Sequence, residues 1–477
     1  MKRIHLLAFL VISVSAFSQA KDGYIIKVTF KPFKNQFIYL GNYYGTQYPI
    51  IDSVKLDENS QGTFKGDKKL GGGIYLVGYP DKSHFFEFLI DKEQKFSITA
   101  DTTDVIKSLK FENSNDNVLF IGYQRYMADH GKEMDDLKKK QAGSKPNDSL
   151  KINEELTKKN KEIKDYREGL MKKNPNAFLT TLLAAMQEPE VPAADKQPGG
   201  KYDSTYAYRF YKTHFWDGVN FYDDRMTRTT FFDSKLDKYF AQLVYPDADS
   251  VNKEMDWMLG YASVSPEMKK FLLLKFVNRY YNQKYMWEDK VFVHLFEKYF
   301  SNQKYDWLTE KGQQLVSNRA YSLMANILGT AASDVVLPDT TGQKISLYAV
   351  NAPYTLVIFW DPTCGHCKET LPLIDSIYRA SWEKLGLKIY SIGRETEGTR
   401  SDWLKFIHSH HIDDWNNVYY SKAAENERVA KNTPGYSQLY DIQSFPTLYL
   451  LDNEKRIIAK KLSFEQVNEV LKEKMKK

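Results

Sequence analysis

Both cysteines of the chain, Cys364 and Cys367, fall within one stretch, FWDPTCGHCKETLP, and the residues around them leave few folds open. YTLVIFW, just before, is an apolar run of strand type. DPT is a turn. From Lys368 onward, Leu371, Ile374 and Ile377 or Tyr378 recur at helical spacing. A strand, a tight turn and a helix in that order put Cys364 at the mouth of the helix and Cys367 one turn deeper. Unpaired backbone N–H groups and the positive end of the helix dipole favour an anion at such a place. Cys364 is therefore expected to act as a thiolate nucleophile, with Cys367, covered but within reach, resolving the mixed disulfide it forms. His366 and Gly365 lie between them as residues expected to tune the thiolate. A protonated His366 would stabilise the reduced form and make the couple more oxidising.

Other uses of the pair fit less well. Zinc normally takes four ligands, and a second Cys-x-x-Cys or His pair is missing. His408, His410 and His411 in FIHSHHIDD read as a solvated helix end, where the dipole welcomes them, so no metal is expected. A peroxidase site of the form P-x-x-x-T-x-x-C requires Pro at position 357 and Thr at 361, where this chain has Val357 and Asp361. A staple is also disfavoured. Two cysteines this close enclose a loop too small to restrain an unfolded chain, and exported proteins that rely on staples usually carry several.

The N-terminus, MKRIHLLAFLVISVSAFSQAKDG, has a charged start, a short apolar run and a small-residue cleavage signal. It reads as a signal peptide cut after Ala20. The expected location is a bacterial periplasm, with an uncleaved membrane tether as the alternative. No later segment is apolar for the about 20 residues that a spanning helix needs. Basic residues (67) barely outnumber acidic ones (61) and the two are interspersed, so no nucleic-acid partner is expected.

A chain of 477 residues exceeds one ordinary core. After the signal peptide (1–20), residues 21–115 alternate in short runs separated by turn residues and predict an antiparallel β-sandwich. Gly71-Gly72-Gly73 reads as a turn, because no phosphate-loop signature follows it. Residues 116–331 predict an all-α domain. Within it, Met134 to Lys173 reads as two charged helices joined at Gly143 to Asp148, Asn174-Pro175 as the start of another helix, and Val191 to Gly200 as a linker or exposed loop. Residues 332–477 alternate strands and helices and predict an α/β domain with a central sheet. Ser463 and Gln466 form a capping-box signal for its last helix.

The segment from Ser333 to Lys477 resembles the TlpA-like periplasmic disulfide oxidoreductases. The likeness rests on FW before the motif, Cys-Gly-His-Cys, Leu371-Pro372, and Ser444-Phe445-Pro446-Thr447 ahead of TLYLLD. It implies a thioredoxin-like fold for 332–477 and a cis Pro446 facing Cys364. It also implies substrate contacts by Trp360, Phe445, Pro446 and Thr447, with the Phe445 backbone pairing with an incoming peptide as an added strand. The stretch around Arg400 to Gly435 looks like an insertion. Two positions depart from the pattern. Ile358 stands where many thioredoxins have a buried Asp, and Thr370 where TlpA-like members often have Glu. The acceptor of the Cys367 proton is therefore open between Glu369, a water and the substrate thiolate. The order of modules resembles exported multidomain redoxins whose first two modules have no known function.

The expectation is thus a periplasmic thiol-disulfide oxidoreductase working as a reductase, needing no cofactor beyond its Cys364–Cys367 disulfide. Its expected partners are protein disulfides and thiols of the cell envelope and a membrane electron donor. The alternatives are a disulfide oxidase or isomerase, and an envelope binding or scaffold protein whose upstream modules carry the main role.

Overall fold

The computed structural model describes residues 23–475 apart from Ser144 and Gly398, so the expected signal peptide lies outside the described residues. The chain divides into two compact units, Met1–Val244 with Met258–Phe271, and Tyr245–Trp257 with Leu272–Lys477.

In the first unit, eight strands run from Tyr24 to Glu112: β1 (Tyr24–Lys31), β2 (Phe37–Asn42), β3 (Ile50–Lys55), β4 (Gln61–Gly66), β5 (Gly73–Gly78), β6 (Phe85–Ile90), β7 (Lys95–Asp101) and β8 (Lys110–Glu112). They form two four-stranded sheets, β4-β1-β7-β8 and β3-β2-β5-β6. One core joins the sheets, with Ile26, Val28 and Phe30 of β1 packed among Ile38, Leu40, Val77 and Phe88. Alternation makes this core: in β1 the even positions are buried and the odd ones largely exposed. The expectation of an antiparallel sandwich needs correction, because β1 and β7 pair in parallel. Alternation tells which face a residue takes and says nothing of the neighbour's direction. The five strands between β1 and β7 supply the long connection that parallel pairing requires.

Helices Asn115–Ala142 and Pro146–Lys173 form the expected charged hairpin. The buried residues of the first, Asn117, Phe120 and Ile121, all lie near its start. Asn174 does not open the next helix. It caps the end of Pro146–Lys173, donating from both its backbone and its side chain to the Leu170 carbonyl, and the following helix is Phe178–Met186. The stretch Val191 to Gly200 is a loop with one short turn, held by Gln197 through Pro192 and Asp203.

The second unit contains a five-stranded sheet ordered β13-β12-β11-β14-β15, built from β11 (Tyr354–Trp360), β12 (Leu387–Arg394), β13 (Asn416–Tyr420), β14 (Thr447–Leu451) and β15 (Ile457–Lys460). A small hairpin of β9 (Val336–Pro338) and β10 (Lys344–Ser346) precedes it. β11, β12 and β13 are parallel, and β14 and β15 antiparallel. Helix Gly365–Ile377 connects β11 to β12, and helix Phe464–Met475 closes the chain. Apolar layers cover both faces of the sheet, Leu356, Ile358 and Trp360 pointing into one, Val357 and Phe359 into the other. Central burial on both faces explains why YTLVIFW is continuously apolar rather than alternating. The stretch Arg400 to Gly435 is only in part an insertion. It supplies helices Arg400–Ser409 and Lys422–Ala430, but also β13, whose backbone completes the sheet beside β12.

Two buried ionic clusters lie in this unit. Arg319 Nη1 donates to Asp441 at 2.5 Å, and Lys461 donates to the other oxygen of the same carboxylate. Lys460 donates to Asp289 and, at 2.6 Å, to the Asn326 carbonyl. Among the described residues no helix is long and apolar enough to cross a membrane.

Candidate active site

The motif is delivered by the end of β11. Asp361 Oδ1 accepts hydrogen bonds from the Thr363 N–H (2.7 Å) and hydroxyl (2.5 Å), and the Asp361 carbonyl accepts from the Cys364 N–H (3.2 Å). This side chain turn halts the strand and sets Cys364 as the cap of helix Gly365–Ile377. Cys364 is half-buried, Cys367 is wholly buried, and both are free thiols.

Strand register brings the second half of the site to the first. β11 and β14 are antiparallel with Phe359 opposite Thr447, so the loop entering β14 runs beside the turn leaving β11. The Cys364 thiol donates to the Phe445 carbonyl at 3.8 Å, and the Phe445–Pro446 peptide is cis. A cavity of about 300 Å³ adjoins Pro446, lined also by Gln443, Ser444, Thr447 and Lys461.

The two sulfurs stand in different surroundings. Burial pushes the Cys367 thiol far above its ordinary 9.0; the Asp361 backbone partly opposes this, and the Cys364 sulfur and the Asp361 charge add to it. His366 and Gly365 are exposed at the first turn of the helix, and a side chain at 365 would meet open space.

Three expected site residues are placed otherwise. Trp360, expected against substrate, is fully buried, its indole N–H donating to Ser391 Oγ at 2.8 Å and its ring packed on Phe406. The alternation of β11 sends it to the face that also holds Leu356, Ile358 and Leu371 of the motif helix, and both faces of this strand are covered. Thr447 is buried too, and its hydroxyl donates to the Ser444 carbonyl at 2.6 Å. Glu369 is exposed, and two positions on from Cys367 it lies about 200° around the helix, away from the buried sulfur. Phe445 and Pro446 are partly exposed beside Cys364.

Asp361 was readable only as turn chemistry. The structure shows it 2% exposed in the turn ahead of Cys364, with Oδ2 buried and making no hydrogen bond. A carboxylate directly after an all-apolar strand was the available signal. His408, His410 and His411 cluster at the end of helix Arg400–Ser409, where His408 pairs with Asp413 and His410 packs on Phe406. Among the described residues no group of three or more His, Cys, Asp or Glu side chains is arranged to hold a metal ion.

Residues 139–323 match a family described as a domain of unknown function (DUF5106). The methylamine utilization protein MauD of Paracoccus versutus is 29% identical over 136 residues, 28% of this chain and 59% of its own length. The chain thus spans little more than half the length of this curated relative. A domain of a possible thiol-disulfide isomerase from Cytophaga hutchinsonii is 36% identical; the match covers 31% of this chain and 93% of that one, with a TM-score of 0.27. A thioredoxin-like protein from Bacteroides caccae is 20% identical over 60% of this chain and 99% of its own, with a TM-score of 0.44.

Proposed function

We propose, from the premise that the C-terminal domain belongs to the thioredoxin-like thiol-disulfide oxidoreductases, that the chain reduces protein disulfides outside the cytoplasm through Cys364 and Cys367. One observation carries this reading: a half-buried cysteine occupies the cap position of a helix with its thiol directed at the Phe445 carbonyl next to Pro446, and a second thiol is buried in the first turn behind it. Cys364, as thiolate, attacks one sulfur of a partner disulfide. That bond breaks, and its electron pair leaves on the partner's other sulfur. Cys367 then attacks the Cys364 sulfur, the Cys364–Cys367 bond closes, and the remaining partner sulfur departs reduced. The same steps reversed would oxidise a dithiol. Reduction requires a dithiol donor to reopen the Cys364–Cys367 disulfide, and we assign that part to a membrane electron donor. The exposed edge of the Phe445–Pro446 loop and its adjoining cavity suit an extended peptide.

The test is capture. A Cys367→Ser protein expressed with its native leader should accumulate mixed disulfides with envelope proteins that a reductant dissolves. A Cys364→Ser protein should accumulate none. Equal yields from the two variants, or no adducts from either, would remove the redox reading. A full phenotype retained by Cys364→Ser would instead favour the scaffold reading, in which the upstream modules do the work.

A further inference from the structure

Three cations and two carboxylates meet beside the cavity that adjoins Pro446. Arg319 and Lys461 share Asp441, and Lys460 pairs with Asp289. Lys460 and Lys461 are consecutive, so the two clusters adjoin and one positive charge among the five is left over. Arg319, Asp441, Lys460 and Asp289 are each 7% exposed or less, whereas Lys461 is 34% exposed and lines the cavity. The uncompensated charge is therefore presented to the cavity.

Hydrogen bonding singles out the same residue. Lys460 uses all three of its ammonium donors, on Asp289 and on the carbonyl and side-chain oxygens of Asn326. Arg319 donates from Nε to the Tyr281 carbonyl at 2.8 Å, from Nη1 to Asp441 and from Nη2 to Gln283. Lys461 donates only to Asp441 Oδ2 among the described residues, which leaves its ammonium two donors short of its capacity. Asp441 cannot take up more of that charge, because its Oδ1 already accepts from Arg319 and, at 3.1 Å, from Gln443. The backbone holds this arrangement in place. Lys461 and Asp441 both have left-handed φ, 56° and 45°, which side chains other than glycine rarely keep without a use, and the Lys461 N–H is tied to the Leu448 carbonyl of β14 at 2.7 Å.

We infer that Lys461 is a specificity residue that binds a carboxylate carried by the partner protein beside its reactive cysteine. The inference rests on the redox reading above and narrows its substrates to proteins whose disulfide is flanked by Asp or Glu. A peptide that reaches Cys364 also meets the Phe445–Pro446 backbone, and the cavity adjoins that backbone with Ser444, Thr447 and Ser463 in its wall. An apolar side chain gains little among these polar groups. A cationic one meets like charge. A carboxylate completes the hydrogen bonding of Lys461 and balances the five charges, in a partly enclosed place where a charge-assisted bond is strong.

The experiment follows reduction of symmetric disulfide-linked peptide dimers by the full-length dithiol protein. Glu, Gln or Lys is placed in turn at the positions neighbouring the cysteine, and each rate is divided by that of the same dimer with dithiothreitol, which removes the intrinsic reactivity of the disulfide. At the favoured position the parent should reduce the Glu dimer about tenfold faster than the Gln dimer, and the Lys dimer more slowly still. That ratio should shrink as salt is added to the parent. In Lys461→Met, whose unbranched side chain suits the same backbone, the ratio of Glu to Gln should fall to about one. Because the ratio is taken within each protein, a general loss of activity in the variant cancels. A ratio near one at every position in the parent, or a ratio that Lys461→Met leaves in place, would overturn the assignment of Lys461 and leave the redox reading standing. A parent protein that reduces none of the dimers would overturn the redox reading itself.

Discussion

The thiol of Cys364 lies 3.8 Å from the carbonyl oxygen of Phe445, a residue 81 positions further along the chain. Register brings them together: Phe359 faces Thr447 across the β11–β14 ladder, so the turn leaving one strand meets the loop entering the other. A peptide that reaches Cys364 therefore meets the Phe445–Pro446 backbone as well.

The burial difference between the sulfurs predicts selective alkylation. Under native conditions at neutral pH, limiting iodoacetamide should label Cys364 and spare Cys367, which is wholly buried and whose thiol burial pushes far up. Peptide mass analysis reads the ratio. Equal labelling of the native protein would mean that the two environments are alike, whereas equal labelling after denaturation is expected.

Trp360 should matter for stability rather than for recognition. Replacing it with Ala empties a site of 0% exposure and should cost about 3–5 kcal/mol. Ser391→Ala leaves the indole N–H unpaired in the core and should cost about 1–3 kcal/mol. Thermal unfolding reads both. If Ser391→Ala left the melting temperature alone and weakened binding of a disulfide peptide, a substrate role for Trp360 would return.

Asp441 makes acid stability predictable in sign. Burial pushes its carboxyl up, but Arg319 and Lys461 outweigh burial and hold it below the ordinary 3.8. The folded state thus binds this proton less readily than the unfolded one. The resulting stability is complete above about pH 4 and is lost as acid carries the solution down through the folded value. Asp289, pushed up chiefly by burial and partly held down by Arg319, slopes the other way, so Arg319→Met shifts both carboxylates upward and changes the acid slope in one sense, which a comparison with the parent reads. The variant should lose about 3 kcal/mol at neutral pH, because a buried carboxylate loses one of its two cations. Its melting temperature should also fall less steeply below pH 4. Identical slopes would count against the assignment.

The Lys460–Asp289 pair should behave as a unit. Its side chains are only 2% and 3% exposed, so Lys460→Met alone strands a buried carboxylate and should cost about 3–5 kcal/mol. Adding Asp289→Leu should recover most of that loss in denaturant titrations. Additive losses would show that the two side chains are not energetically coupled.

Much of the site was legible in the sequence because it is local. The strand YTLVIFW, the turn DPT and the helix with Leu371 and Ile374 inward follow from period and turn chemistry over about twenty residues, and the structure has them in that order. The capping box was readable for the same reason: Ser463 and Gln466 exchange hydrogen bonds three residues apart. Partners far apart in the chain were not legible. Nothing near Asn174 tells whether it ends one helix or begins the next, since Asn serves at both ends. Nothing in the alternation of β1 tells that β7 runs parallel to it.

The sequence by itself determined that two thiols would stand one at the mouth of a helix and one within its first turn, because spacing and helical period act over a few residues. Only the tertiary structure decided what those thiols face. It buried Trp360 against Ser391, turned Glu369 to solvent, and shut Asp361 into the turn ahead of Cys364. Burial is a sum over chain segments from β11, β13 and β14 that meet only when the sheet closes, and no local pattern carries that sum.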